Sequence, residues 1–172
     1  IQSSYLLHMV NIFNQNIVER NAVPLKEGDR VAVIGCGNVA MDAARTAVRM
    51  GAASVHVIYH RTEAEMSAIP SEYQDAVKEG VQFLWQTSTQ EFLGDDEGKV
   101  IGLRAATPEG IRDFTFDRVL LAIGSRPANR IVSTTTGIEV DDTGYVIVKD
   151  RPYGMTTRRG VFAGGDVVHR PH

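Results

Sequence analysis

The sequence predicts an α/β fold: a three-layer domain with a central parallel sheet and an antiparallel β-meander beside it. Three observations predict it. Continuous apolar runs at 31–34 and 119–123 each end in glycine, as expected for strands buried on both faces. Apolar residues at helical spacing follow the first run and recur at 69–79. After residue 85 the periodicity changes to short strands punctuated by glycine-rich turns.

The first 29 residues carry Leu6, Val10, Phe13 and Ile17 at helical spacing, with Leu7 and Met9 widening the face. That stripe needs a partner, in this domain or in a neighbour. With the neighbour absent, the stripe is expected to be exposed, disordered or paired with another copy. Pro24 and Lys26-Glu-Gly-Asp29 then turn the chain into the first strand.

The organising stretch is Arg30-Val-Ala-Val-Ile-Gly-Cys-Gly-Asn-Val-Ala-Met-Asp42. A strand, a G-x-G-x-x-A turn, a helix and a second strand at 54–59 arrive in the order of a dinucleotide-binding unit, hence a Rossmann-like domain. Gly35 permits the tight turn, Gly37 lets the backbone approach a pyrophosphate, and Ala40 allows close packing of helix on strand. Asn38 is a suitable N-cap for a helix beginning at 38 or 39. Asp42 is expected in the first helical turn and Arg45 on its solvated face. Cys36 reads as a small loop residue, with a thiol pKa lowered by the helix N-terminus.

An NAD site places Asp or Glu at the end of the second strand, about 20 residues past the glycines, on the ribose hydroxyls. This chain has His60-Arg61 there. The guanidinium fork suits a phosphate, which favours NADP(H). A helix at 69–79 and a third strand at 81–85 follow. Segments 89–93, 99–106 and 111–116 then form the meander, in place of the helix of a regular doubly wound sheet. Asp95, Asp96 and Glu97 sit between glycines and read as a solvated hairpin tip. A buried strand ends at Ala122-Ile123-Gly124, one further turn and strand fall within 140–148, and Gly160-Val-Phe-Ala-Gly-Gly-Asp166 repeats the strand-then-glycine theme.

Length and composition agree with one well-packed domain: 172 residues, 43% hydrophobic, net charge −3. No basic run points to nucleic acid, and no apolar segment has the length of a membrane span. A single cysteine leaves no intrachain disulfide, C-x-x-C pair or iron–sulfur ligand set, and suggests a reducing, cytoplasmic setting. The residues contain no acid–base pair, nucleophile triad or metal cage. Catalytic residues are therefore not assigned, and hydride chemistry is left to cofactors.

The strings Val31-Ala-Val-Ile-Gly-Cys-Gly-Asn-Val-Ala-Met-Asp-Ala-Ala-Arg45, Tyr59-His-Arg61, Glu65-Met66 and Ala68-Ile-Pro-Ser-Glu72 resemble one group of FAD-dependent pyridine nucleotide oxidoreductases. The group includes the glutamate synthase small (beta) subunit and the related region of dihydropyrimidine dehydrogenase. Ala122-Ile-Gly124 and the glycine string ending at Asp166 fit it too, so the match runs from about Gly28 to Asp166. The resemblance implies an NADPH-binding domain inserted in an FAD-binding domain, with hydride passing from nicotinamide to flavin.

It also implies roles. Gly35, Cys36, Gly37, Asn38, Val39 and Ala40 would hold the pyrophosphate, and His60 and Arg61 the 2′-phosphate. Ala122, Ile123 and Gly124 would line the nicotinamide approach, and Gly165 and Asp166 would contact FAD. Three departures stand out. The group often has two basic residues where this chain has His60-Arg61, and some members place an arginine where it has Ser67. The N-terminal dinucleotide motif of such flavoproteins is also missing.

The expected organisation follows. Residues 1–27 would be the trailing segment of the FAD domain and a linker, 28–148 the NAD(P)H-binding domain, and 149–172 the return into the FAD domain. Expected partners are the remaining FAD-binding domain of the parent chain and an iron–sulfur domain or large synthase subunit. The isolated chain is expected to bind nucleotide without sustained turnover. The competing reading is a non-catalytic module that senses pyridine nucleotide.

Overall fold

The computed structural model describes residues 1–124, 136–149, 155–163 and 168. They fall into two compact units, Ile1–Gly124 and Ser125–His172. In the first, a parallel sheet is formed by β1 (Arg30–Ile34), β2 (Ser54–Ile58), β3 (Gln82–Leu84) and β7 (Arg118–Leu121), in the order β3-β2-β1-β7. Helices α1 (Ser3–Asn14), α2 (Asn38–Arg49) and α3 (Pro70–Lys78) pack on it, and β4 (Ser88–Gly94), β5 (Val100–Thr107) and β6 (Gly110–Thr115) make the antiparallel meander. The α/β expectation holds element by element.

Strand alternation sorts the core into two clusters. Val31, Val33, Val55, Val57 and Leu120 join Ala40, Met41, Ala43, Ala44 and Ala47 of α2 and Ala76 of α3. The intervening residues Ala32, Ile58 and Val119 instead meet Leu103, Ala105 and Phe116. Helices therefore cover one face of the sheet and the meander the other, which gives the three layers. Alanines line α2 because the helix lies close against the strands, where a larger side chain would hold it off. Leu103 and Ala105 alternate with Arg104 along β5, and on the outer row Arg104 pairs with Glu91 and Asp113 across both neighbours. The acidic tip is a turn in which Asp95 accepts the amides of Glu97 and Lys99.

The β1–β7 pairing is locked at its amino end. Asp117 accepts the Arg30 amide at 2.8 Å and two guanidinium bonds at 2.9 and 3.0 Å. That arrangement holds its carboxyl down to about 2.

The N-terminal helix corrects one expectation. Leu6 is fully buried, Val10 nearly so, and Phe13 packs against the same cluster, so the stripe finds its partner within this unit. Only Ile17, past the helix end, stays exposed among the four. The preceding residues run along the outer edge of β7, where the Leu121 amide donates to the Ile1 carbonyl and Gln2 bridges Leu121. Leu6→Ala should accordingly destabilise the chain by about 2–5 kcal/mol in a denaturant titration. A loss below about 1 kcal/mol would mean α1 contributes no real core.

The second unit contains β8 (Val148–Lys149) paired with β9 (Met155–Thr156), and a bridge between Val140 and Val146 across a turn. Asp141 closes that turn by accepting the Thr143 and Tyr145 amides and the Thr143 hydroxyl. The expected turn is present, but within 140–148 the expected strand is reduced to the isolated Val140–Val146 bridge, and β8 starts only at Val148.

Candidate functional site

The parallel strands all end at one edge, and the chain reverses direction across it. From β1 the sheet grows through β2 to β3 on one side, whereas β7 lies on the other. The gap between the carboxyl ends of β1 and β7 is therefore the topological switch point, where ligands bind in open α/β sheets. The turn 35–37 leaves β1 there, His60 and Arg61 follow β2, and 122–124 follow β7. Backbone bonds extend the alignment past the strands: Gly35 N–H donates to Ile58 O, Ala122 N–H to Ile34 O and Tyr59 N–H to Leu84 O.

Two glycines in the turn do different work. Gly35 has φ +119°, and a Cβ there would collide with the Ala122 carbonyl. It is glycine because the end of β7 presses against it in a conformation that L-residues avoid. Gly37 has an ordinary φ of −99° and is the N-cap of α2. A Cβ on Gly37 would lie 3.3 Å from the Ser67 hydroxyl oxygen, so its missing side chain leaves open the cradle at the start of the helix. The N-terminus of α2 carries no side-chain cap, and its first helical bond runs from Met41 N–H to Gly37 O. Such a terminus presents donors and positive potential to an anion.

Asn38 does not serve as the cap. It is the first residue of the helix, and its Oδ1 accepts the Ile69 amide at 2.9 Å. Beside it, the Cys36 carbonyl accepts the Ala68 amide at 3.0 Å and the Ser67 hydroxyl at 3.4 Å. The segment after β2 is thus drawn across the glycine turn before α3 begins with Pro70 at its first position. Val39 is half exposed and Ala40 fully buried against the sheet.

Cys36 is 2% exposed, and its thiol is pushed up to about 11, first by burial and then by the Glu63 carboxylate. Burial overrides the helix N-terminus and reverses the lowered pKa expected from sequence. A thiol with that pKa is about one-thousandth ionised at pH 8. Alkylation by iodoacetamide at pH 8 should therefore be slow in the folded chain and fast in denaturant. Equal rates in both would contradict the buried thiol.

His60 and Arg61 are both exposed at the end of β2. Arg61 Nε donates to His60 Nε2 at 3.1 Å, which requires that nitrogen to be unprotonated. Of the two carboxylates that closely follow Arg61 in the chain, Glu63 and Glu65, the second is engaged elsewhere. It closes a capping box with Thr62, accepting its amide at 3.1 Å and its hydroxyl at 2.9 Å. Those bonds come first in lowering its pKa, with smaller contributions from the charges of Arg61 and His60. On the third strand end, Ile123 is 71% exposed and Gly124 has φ +85°. Gly165 and Asp166 lie outside the described residues.

Two further residues depart from expectation. Arg45 is turned to α3, where it bonds Glu79 at 2.8 Å and Glu72 at 3.0 Å. Arg49 shares Glu79 at 2.7 and 3.0 Å, so the pair bolts α2 to α3. Asp42 is exposed and falls one residue beyond the first helical turn, which contains no acidic residue. What sequence reasoning missed is the ring of supports, namely Thr62, Ser67 and the aromatic group Tyr59, Tyr73, Phe83 and Trp85. Only Thr62-x-x-Glu65 carried a local signal, as a capping-box spacing. Among the described residues no group of His, Cys, Asp or Glu is placed to hold a metal ion, and no helix is long and apolar enough to cross a membrane.

Comparison with known proteins gives the same outline. The chain is 38% identical over 159 residues to a glutamate synthase [NADPH] small chain of Halomonas elongata, covering 83% of this chain and 34% of that protein. It is 37% identical over 162 residues to an NADP(+)-dependent formate dehydrogenase subunit beta of Moorella thermoacetica, covering 84% and 22%. The chain thus spans about a third or less of these relatives. Among solved structures, thioredoxin reductase of T. acidophilum superposes with a TM-score of 0.75 at 25% identity, over 85% of this chain and 46% of that one. The model of one family, described as pyridine nucleotide-disulphide oxidoreductase, matches residues 7–172. With a glycine turn at the sheet's switch point and a family match along nearly its whole length, the chain belongs to the pyridine nucleotide-disulphide oxidoreductases.

Proposed function

We propose that this chain is the NADPH-binding part of an FAD-dependent oxidoreductase, in the manner of a glutamate synthase small chain. The observation that carries the reading is the convergence of three segments on the switch point: the uncapped glycine turn, the exposed His60-Arg61 pair and the end of β7. The residues fit a dinucleotide. Gly35, Cys36, Gly37, Asn38, Val39 and Ala40 form a turn whose backbone a pyrophosphate can approach, because position 37 has no Cβ to fill the cradle. Cys36 contributes through its backbone, since its side chain is buried.

The 2′-phosphate belongs with Arg61, whose planar fork is accessible, and with His60 once Nε2 is protonated and becomes a donor. Ala122, Ile123 and Gly124 border the nicotinamide end, and Gly165 and Asp166 are assigned to the FAD side. When bound, NADPH supplies the hydride and FAD receives it. The chain's own work is to bind, orient and select the nucleotide, and no side chain is assigned an acid–base role.

In this reading residues 28–148 form the nucleotide-binding domain, while 1–27 and 149–172 join it to the FAD-binding domain. Electrons then pass to an iron–sulfur domain or a large synthase subunit, in a cytoplasmic setting. The relatives named for NADPH and NADP(+) support the choice of cofactor, and the absence of a carboxylate at positions 60 and 61 supports it independently. Calorimetric titration with NADPH and NADH tests the proposal: NADPH should bind at least about tenfold more tightly, as one charged hydrogen-bonded contact predicts. Absence of binding by either nucleotide, in a chain shown to be folded, would refute it.

A further inference from the structure

We propose that Asn38 is a positioning residue that sets the preference for NADPH over NADH, by tying the segment after β2 to the first turn of α2. The inference rests on the assignment of the 2′-phosphate to Arg61 made above. Residues 59–69 leave β2 at the site edge, carry Arg61, cross the glycine turn and enter α3. They are held at three stations. Near β2, the Arg61 carbonyl accepts the Gln86 amide at 2.9 Å. In the middle, the Tyr59 hydroxyl donates to the Glu65 carbonyl at 3.0 Å, while Thr62 holds the Glu65 carboxylate. At the far end the Ala68 amide meets the Cys36 carbonyl, and the Ile69 amide meets Asn38 Oδ1.

The far station bears on selectivity through Glu65. This carboxylate lies within the electrostatic reach of Arg61 and His60 yet is kept on Thr62 by the local turn. A segment fixed at both ends leaves it no freedom to move. Without the Ile69 bond the far end is held only through Ser67 and Ala68 on the Cys36 carbonyl, so the 65–69 stretch gains freedom and Glu65 can exchange Thr62 for Arg61. An ion pair there would neutralise the fork that reads the 2′-phosphate and penalise NADPH while sparing NADH. Asn38 thereby acts on a group at the end of the neighbouring strand through a bond that never touches it.

The bond can be cut from either side. Asn38→Ala removes the acceptor. Ile69→Pro removes the donor and keeps asparagine at 38; Ile69 already has φ −65° and ψ 136°, which suit proline, and the Asn38 side chain has to turn aside from the new ring. Affinities for NADPH and NADH should be measured calorimetrically on the 172-residue chain for both single variants, the double variant and Arg61→Ala. Each single variant should lower NADPH affinity relative to NADH by about three- to tenfold, the equivalent of one hydrogen bond. The double variant should lose no more than Asn38→Ala alone, because Ile69→Pro then deletes a bond that is already gone.

An unchanged NADPH-to-NADH ratio in folded Ile69→Pro overturns the inference, as do ratios that multiply in the double variant. Should Asn38→Ala fail to fold, Ile69→Pro decides alone. Equal loss of both nucleotides in Arg61→Ala overturns the 2′-phosphate assignment and this inference with it. A selective Arg61→Ala beside unselective Asn38→Ala and Ile69→Pro overturns the inference only.

Discussion

Gly35→Ala should destabilise the fold, whereas Gly37→Ala should leave the fold intact and remove nucleotide binding. At Gly35 an added methyl meets two penalties. A φ of +119° costs an L-residue about 1–3 kcal/mol. The new Cβ also drives into the Ala122 carbonyl, which is backbone and follows directly on the Ala122 amide bonded to Ile34. Overpacking of that kind adds about 1–3 kcal/mol. Together they should lower the melting temperature by roughly 6–20 °C in a chain of this size.

Position 37 differs in both respects. Its φ of −99° suits any residue, and the nearest atom to a new Cβ is a serine hydroxyl at 3.3 Å, which can turn aside. Stability should change by less than about 1 kcal/mol. The methyl would nonetheless occupy the space through which a pyrophosphate reaches the helix amides, and affinity for NADPH and NADH should fall together by about tenfold or more. Thermal melts and titrations of the two variants separate these effects. Retained binding in a folded Gly37→Ala would move the pyrophosphate away from this turn.

Arg61→Ala should weaken NADPH about ten- to a hundredfold and leave NADH nearly unchanged, since charged hydrogen bonds contribute roughly 1.5–3 kcal/mol each. Arg61 stands exposed at the end of β2, its Nε resting on His60, so its removal costs the fold little. Arg61→Lys should recover only part of the loss, because an ammonium keeps the charge and loses the two-pronged geometry. Titration of both nucleotides against each variant gives the answer as a ratio, which is insensitive to errors in active concentration. Matching losses for NADPH and NADH would place the 2′-phosphate on other residues.

The parallel strands, the glycine turn, α2 and α3 were legible along the chain because each is specified by neighbours within about a dozen residues. Apolar period, glycine and proline placement and the strand–turn–helix order are all local signals. The meander was legible for the same reason, with Gly94-Asp-Asp-Glu-Gly98 and Pro108-Glu-Gly110 marking its turns. Arg61 could be singled out because its meaning depends on its position at a strand end.

Tertiary structure decided whatever depends on partners distant in sequence. Leu6 and Val10 looked as ready for an absent neighbour as for this domain, and only packing against the alanine face of α2 settled it. Arg45 looked solvated until α3 brought Glu72 and Glu79 to it across 27 and 34 residues. The Cys36 thiol depended on two opposing influences, and burial beat the helix N-terminus once the 63–69 segment lay over the turn. Asn38 carried a good capping side chain, yet Gly37 took the cap and Asn38 turned to the Ile69 amide 31 residues away. Sequence pattern thus determined the fold and marked the turn proposed to hold a nucleotide. The tertiary structure chose which polar groups support that site, because a hydrogen bond forms with the partner that folding delivers.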